Sequence, residues 1–241
     1  MLKAQNISYY YRNSEGFSLR DVSFSLPRGH IVGLLGENSA GKTTLIRCLT
    51  GLIRPGSGMV TLDGQSGEGI RGKLAYVSGE GASFGRFTPA QTGDLLAEFY
   101  PRFDRKRFDR LLGYFELPDQ PVRSMSTGER AKAELAAGVS IGADYVLMDE
   151  PFSGKDVFTR RDFLKIMAGS LRDNETILLS THLVGEVEHF IDRALVLHKG
   201  KLAADADMDD LHQSGGTLPG LLRDATGYDE QRAAELFSQE D

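Results

Sequence analysis

Nine consecutive residues carry the first chemistry in this chain. Gly36-Glu37-Asn38-Ser39-Ala40-Gly41-Lys42-Thr43-Thr44 places two glycines with four residues between them, then lysine and threonine. Glycines let backbone N–H groups approach an anion with no Cβ in the way. A helix starting near Lys42 would aim its positive dipole end at the same anion. Lys42 would reach the β- and γ-phosphates of a triphosphate as a point charge. The Thr43 hydroxyl would ligate Mg²⁺. Much later comes an acidic pair, Asp149-Glu150, closing the apolar run Tyr145-Val146-Leu147-Met148. There Asp149 would hold Mg²⁺ through water, and Glu150 would orient and deprotonate an attacking water.

These residues need a scaffold that brings them together. His30-Ile31-Val32-Gly33-Leu34-Leu35, ending in Gly36, is a continuous apolar run of the length expected for a buried parallel strand. The helix after it carries Leu45, Ile46, Leu49 and Leu52 at helical spacing, with Gly51 and Pro55 marking its exit. Tyr145 to Met148 and Thr176-Ile177-Leu178-Leu179-Ser180 repeat the strand signal, each ending in polar residues. This is the grammar of a parallel α/β sheet with its functional groups at the carboxyl ends of strands. Ala194 to Leu202 predicts a strand and hairpin closing that core. Ile7 to Tyr11 and Leu19 to Leu26 read as short β segments around a turn at Asn13 to Gly16. Thr88 to Ile141, interrupted by Pro101, Pro118 and Pro121, reads as a mostly helical insert. The acidic tail from Ala203 to Asp241 is expected to hold short helices, one of them at Tyr228 to Ser238.

The chain has 241 residues, 28 basic against 34 acidic, a formal charge of −6. That balance argues against a nucleic-acid partner gripped by a basic face. A single cysteine, Cys48, excludes an intramolecular disulfide and a cysteine-cluster metal site. Neither a signal peptide nor a membrane span is legible, so a cytoplasmic location is expected, with any membrane role arising through a partner.

Three more pieces fall into line with the cradle and the carboxylates: Ser126-Thr127-Gly128-Glu129-Arg130, Ser153-Gly154-Lys155-Asp156, and Ser180-Thr181-His182. In this order and spacing, Leu2 to Leu202 resembles the ATP-binding subunit of ABC transporters. The resemblance implies an ABC-type P-loop NTPase fold. A RecA-like parallel core (residues 1–87 and 142–202) would carry an N-terminal antiparallel β subdomain. A helical subdomain (88–141) would be inserted in it, with a tail (203–241) after it. It implies ATP and Mg²⁺ as ligands and ATP hydrolysis as the reaction. By the same resemblance Ser126 and Gly128 lie in the signature loop that meets the γ-phosphate of nucleotide on an opposing subunit. Asp156 lies at the subunit junction, His182 senses the γ-phosphate and holds Glu150, and Tyr11 stacks on adenine. The implied assembly is a head-to-tail homodimer or heterodimer on a separate transmembrane permease, peripheral to the inner face of the plasma membrane.

The family pattern is broken in places. The signature loop carries Met125, Thr127 and Glu129 instead of the usual residues, and Lys155 replaces a leucine. Gly79, followed by Glu80, stands where the family has a glutamine that touches Mg²⁺ and couples to the permease. Phe99-Tyr100-Pro101-Arg102-Phe103-Asp104 is similar to a stretch in bacterial exporter-type ATPases from operons with GntR-family regulators. As an aromatic cluster it is expected to pack the helical insert. Two other readings use the same site: a soluble ABC-type ATPase acting on nucleic acid or ribosomes, and a regulatory nucleotide-binding module with slow hydrolysis.

Overall fold

The computed structural model describes residues 1–11, 16, 18–78 and 85–227. Most of the expected Asn13–Gly16 turn, the Gly79–Glu80 position and the Tyr228–Ser238 helix lie outside them. The chain opens with β1 (Leu2–Tyr9), β2 (Leu19–Leu26), β3 (Ile31–Leu35), α1 (Lys42–Leu49), β4 (Ser57–Leu62), α2 (Glu68–Arg71) and β5 (Leu74–Val77). The helical stretch follows as α3 (Pro89–Phe99), α4 (Arg105–Tyr114), a 3-10 turn at Val122–Ser124, and α5 (Thr127–Ser140). Then come β6 (Tyr145–Asp149), α6 (Val157–Ser170), β7 (Thr176–Thr181), α7 (Val184–Val187), β8 (Arg193–His198), β9 (Lys201–Asp207), α8 (Met208–Gln213) and α9 (Leu218–Thr226).

Two sheets result. One is antiparallel, in the order β2-β1-β4; the other has the order β5-β6-β7-β3-β8-β9 and is parallel except for the β8–β9 hairpin. Alternation along β3 sends Ile31 and Leu35 to one face and Val32 and Leu34 to the other. The first face packs against the helical insert and α6, through Leu96, Phe108, Leu135 and Phe163. The second packs against α1 and the antiparallel sheet, through Leu2, Leu26, Leu45 and Leu62. With both faces covered, the strands read as unbroken apolar runs. The buried Tyr145 hydroxyl joins the sheets, accepting from the Leu2 N–H and donating to the Leu26 carbonyl, each at 3.0 Å.

The insert is delimited by its own caps. Thr88 and Gln91 form a capping box at α3, with Pro89 in the first turn; Asp104 caps α4 through the Arg107 N–H at 2.9 Å. It is also pinned to the core. Arg107 on α4 forks onto both oxygens of Glu175 at 2.8 and 2.9 Å, both side chains being buried. Around that pair Arg172 bonds Asp104, and Arg102 meets Asp144 at 2.7 Å.

Several details depart from the sequence expectations. β4 was not legible as a strand; its outer residues are exposed, so its pattern carries little alternation. β9 extends to Asp207, beyond the expected core limit at Leu202, with Leu202, Ala204 and Ala206 half-buried along an edge strand. α5 begins at Thr127 because Ser126 is its cap. β1 stops at Tyr9, short of the expected Tyr11, and Tyr10 is exposed. The Phe99–Asp104 cluster does not pack as a unit. Phe103 lies 5.5 Å from Phe108, but Phe99 is 69% exposed and Tyr100 also faces solvent. Among the described residues no helix is long and apolar enough to cross a membrane.

Candidate active site

The cradle leaves the end of β3, an interior strand flanked by β7 and β8. Gly36 has φ 149° and Gly41 φ 108°. A Cβ at Gly36 would lie 2.2 Å from the Leu197 carbonyl oxygen, and one at Gly41 would lie 2.6 Å from that of Ser18. Only glycine allows the loop to pass so close to its neighbours. Gly41 offers no side-chain cap, so the first amides of α1 face outward for an anion. The buried Lys42 curls back under the loop. Its Nζ donates to the Gly36 carbonyl at 2.7 Å and the Glu37 carbonyl at 3.2 Å, and lies 3.1 Å from Glu150 Oε1.

The acidic pair ends β6, two strands away, and β7 lies between. The buried Asp149 Oδ1 accepts from Thr43 Oγ1 at 3.0 Å and from Ser180 Oγ at 2.8 Å. Glu150 sits in the left-handed region, φ 47°, which turns its side chain back over the strand ends. One carboxylate oxygen faces Lys42; the other lies 3.0 Å from His182 Nδ1. Behind the pair, burial and then the charge of Asp149 push the Tyr76 phenol up.

Tyr11, Glu37, Asn38, Ser39, Ala40, Gly41, Lys42, Thr43, Thr44 and Glu150 line one cavity of about 320 Å³, together with Ser18. The Tyr11 hydroxyl is 3.3 Å from Thr44 Oγ1, and its ring meets Tyr9 edge-on at 4.9 Å. Ser126, Gly128 and Asp156 do not line that cavity. Ser126 caps α5 in a capping box. Glu129 Oε2 takes both the Ser126 N–H and hydroxyl at 2.8 Å, and these bonds hold the Glu129 carboxyl below its ordinary range. Met125 is buried, so it fills an apolar slot as a leucine would. Asp156 caps α6, accepting from Thr159 N–H at 3.0 Å and Thr159 Oγ1 at 2.6 Å. Lys155 is buried; its ammonium donates to the Ser153 carbonyl at 3.3 Å and lies 5.9 Å from the Phe163 ring centre. That burial pulls its pKa down.

The donor set suits magnesium. Thr43 and Asp149 supply one hydroxyl and one carboxylate at the cavity edge, both hard oxygen donors. No cluster of three or more His, Cys, Asp or Glu able to hold a metal occurs among the described residues. Magnesium is characteristically held this way, by one or two carboxylates plus substrate phosphates and waters. Ser180 is the contact the sequence did not disclose. It pairs with Asp149 only through the β6–β7 register, and no local spacing encodes that register.

A cradle after an interior parallel strand, with an acidic pair two strands away, defines a P-loop nucleoside triphosphatase. The sequence pattern of the ABC transporter family matches residues 19–153. This chain belongs to that family and is its ATP-binding ATPase unit. It is 30% identical to the ABC transporter ATP-binding protein YtrB of Bacillus subtilis (strain 168), over 81% of this chain and 68% of that protein. It is 29% identical to the lipopolysaccharide export system ATP-binding protein LptB of Haemophilus influenzae, over 85% of this chain and 89% of that one. A solved ATP-binding subunit of an ABC transporter superposes with TM-score 0.82 at 27% identity, covering 93% of this chain and 99% of the other. The cassette MJ0796, solved as a dimer with ADP and Pi, shares the fold with TM-score 0.76 at 21% identity, over 86% and 99% of the two chains.

Proposed function

We propose that this chain works as the hydrolysing subunit of an exporter, closing head to tail with a second subunit, identical or homologous, around two Mg-ATP molecules. The observation that carries this is the convergence of Lys42, Thr43, Asp149, Glu150 and His182 through contacts of 3.0–3.1 Å at one rim of the sheet. The triphosphate lies along the cradle amides with Lys42 on its terminal phosphates. Thr43 and Asp149 would hold Mg²⁺, whose charge would offset the negative charge that builds up during phosphoryl transfer. Glu150 takes a proton from water as its oxygen attacks the γ-phosphorus and the bond to the β-phosphate oxygen breaks, leaving ADP and phosphate. His182 reads the γ-phosphate and holds Glu150. Tyr11, exposed beside the cradle, stacks on adenine.

Ser126 and Gly128 lie outside their own chain's cavity, on an exposed helix start. That placement supports their use by the opposing subunit, with Asp156 at the junction. Closure would exclude water from the two shared sites, and loss of the γ-phosphate would let the dimer open. A separate transmembrane permease would dock on the helical insert, where Phe99 and Tyr100 are exposed, and would hold the chain at the membrane's inner face. A relative named for lipopolysaccharide export supports the outward direction.

The test is size-exclusion chromatography of Glu150→Gln with Mg-ATP. An ATP-dependent shift to dimer is expected, alone or on adding a partner ATPase subunit. A monomer under both conditions would overturn the dimer reading.

A further inference from the structure

The geometry points to Ser180 as a positioning residue of ATP hydrolysis, whose one hydroxyl holds the Asp149 carboxylate and the Glu150 backbone in fixed relation. This rests on the roles proposed above for that pair. A serine hydroxyl has one proton and two lone pairs, and here both kinds are engaged. The proton goes to Asp149 Oδ1 at 2.8 Å, and a lone pair receives the Glu150 N–H at 2.9 Å. Ser180 is wholly buried and stands opposite Asp149 in the β6–β7 register, so its hydroxyl has little freedom to leave.

The Glu150 amide leads into a left-handed kink unusual for glutamate, φ 47°. Such a conformation persists only where its surroundings over-determine it. Ser180 is one such determinant from outside β6. Through Asp149 the same hydroxyl connects to Thr43, and through the kink to the carboxylate between Lys42 and His182. Loss of the hydroxyl leaves the Glu150 N–H without its partner and frees one side of Asp149. The kink can then relax and carry the Glu150 carboxylate off its line of attack. Misplacement by about 1 Å can cost roughly 100-fold in rate.

The experiment compares Ser180→Ala, Ser180→Cys and Ser180→Thr in the full chain. Cysteine keeps the volume but is a weak donor and acceptor; threonine keeps the hydroxyl. Alanine and cysteine are expected to lower kcat by about 10- to 100-fold and leave ATP affinity nearly unchanged. They should also speed hydrogen exchange at the Glu150 amide. Threonine should restore both rate and protection. Parental kcat and parental exchange in Ser180→Ala would overturn the inference. So would a loss of rate that follows a matching loss of ATP affinity and is not rescued by threonine. Glu150→Gln measured alongside separates the two readings. Parental turnover there removes Glu150 as the base, whereas parental turnover in Ser180→Ala alone removes only the role of Ser180.

Discussion

Lys42 Nζ and Glu150 Oε1 lie 3.1 Å apart, so the cation proposed to grip phosphate and the carboxylate proposed to activate water are held as a pair. The other Glu150 oxygen belongs to His182 Nδ1 at 3.0 Å. The carboxylate is therefore oriented on both sides, by a group from β7's end and by one from α1. In the proposed binding mode a γ-phosphate entering the cradle would compete for the same ammonium and draw Lys42 from its carboxylate.

Glu150→Gln should lower turnover by about 10²–10⁴-fold while ATP still binds. The amide keeps the shape and one acceptor but cannot take a proton from water. Phosphate release and calorimetry on the same preparation give the two numbers. Unchanged turnover would show that another group is the base.

Lys42→Ala should weaken ATP binding. A hydrogen bond to a charged group contributes about 1.5–3 kcal/mol, or roughly 10- to 100-fold in affinity. Titration calorimetry with Mg-ATP measures it directly. An undiminished affinity would contradict the cradle assignment.

Glu129 should make the start of α5 acid-sensitive. The Ser126 N–H, then its hydroxyl, hold the Glu129 carboxyl below the ordinary glutamate value of 4.5. The unfolded chain therefore binds the proton more readily than the folded one. The contribution is complete above the ordinary value and is lost as pH falls through the lowered one. The Tm difference between the parent and Glu129→Gln should be greatest near neutrality and shrink in strongly acidic buffer. A difference independent of pH would remove the charged cap.

Arg107→Met should unfold at lower urea. It leaves the buried Glu175 carboxylate without its forked guanidinium, and breaking such a pair costs about 3–5 kcal/mol. Adding Glu175→Gln should recover part of the loss. A cost below about 1 kcal/mol, the worth of an exposed pair, would show that the insert is not fastened to the core at this point.

The segments that carry the proposed reacting groups were legible in the sequence because each is local. The cradle needs particular residues in nine consecutive positions, and Asp149-Glu150 sits at the end of an apolar run that can only be a buried strand or helix. The insert was legible through its composition, and Ser126 and Asp104 explain where two of its helices begin. The strand expected to run to Tyr11 was drawn too long because apolar and aromatic composition does not mark where strand pairing stops, and β1 ends at Tyr9. The Phe99–Asp104 aromatics were misjudged because composition does not say which side of a helix end faces solvent; Phe99 does.

Strand order and register belong to the tertiary structure alone. The order β6-β7-β3 sets Asp149 and the cradle on either side of β7, close enough for Thr43 to reach across. The register sets Ser180 against Asp149, and the kink at Glu150 turns its carboxylate toward Lys42 and His182. Local spacing determines which chemistry each segment can perform. Only packing of the two apolar faces of the sheet determines which segments become neighbours, because burial rewards any pairing that hides those runs and the geometry of the whole chain selects one.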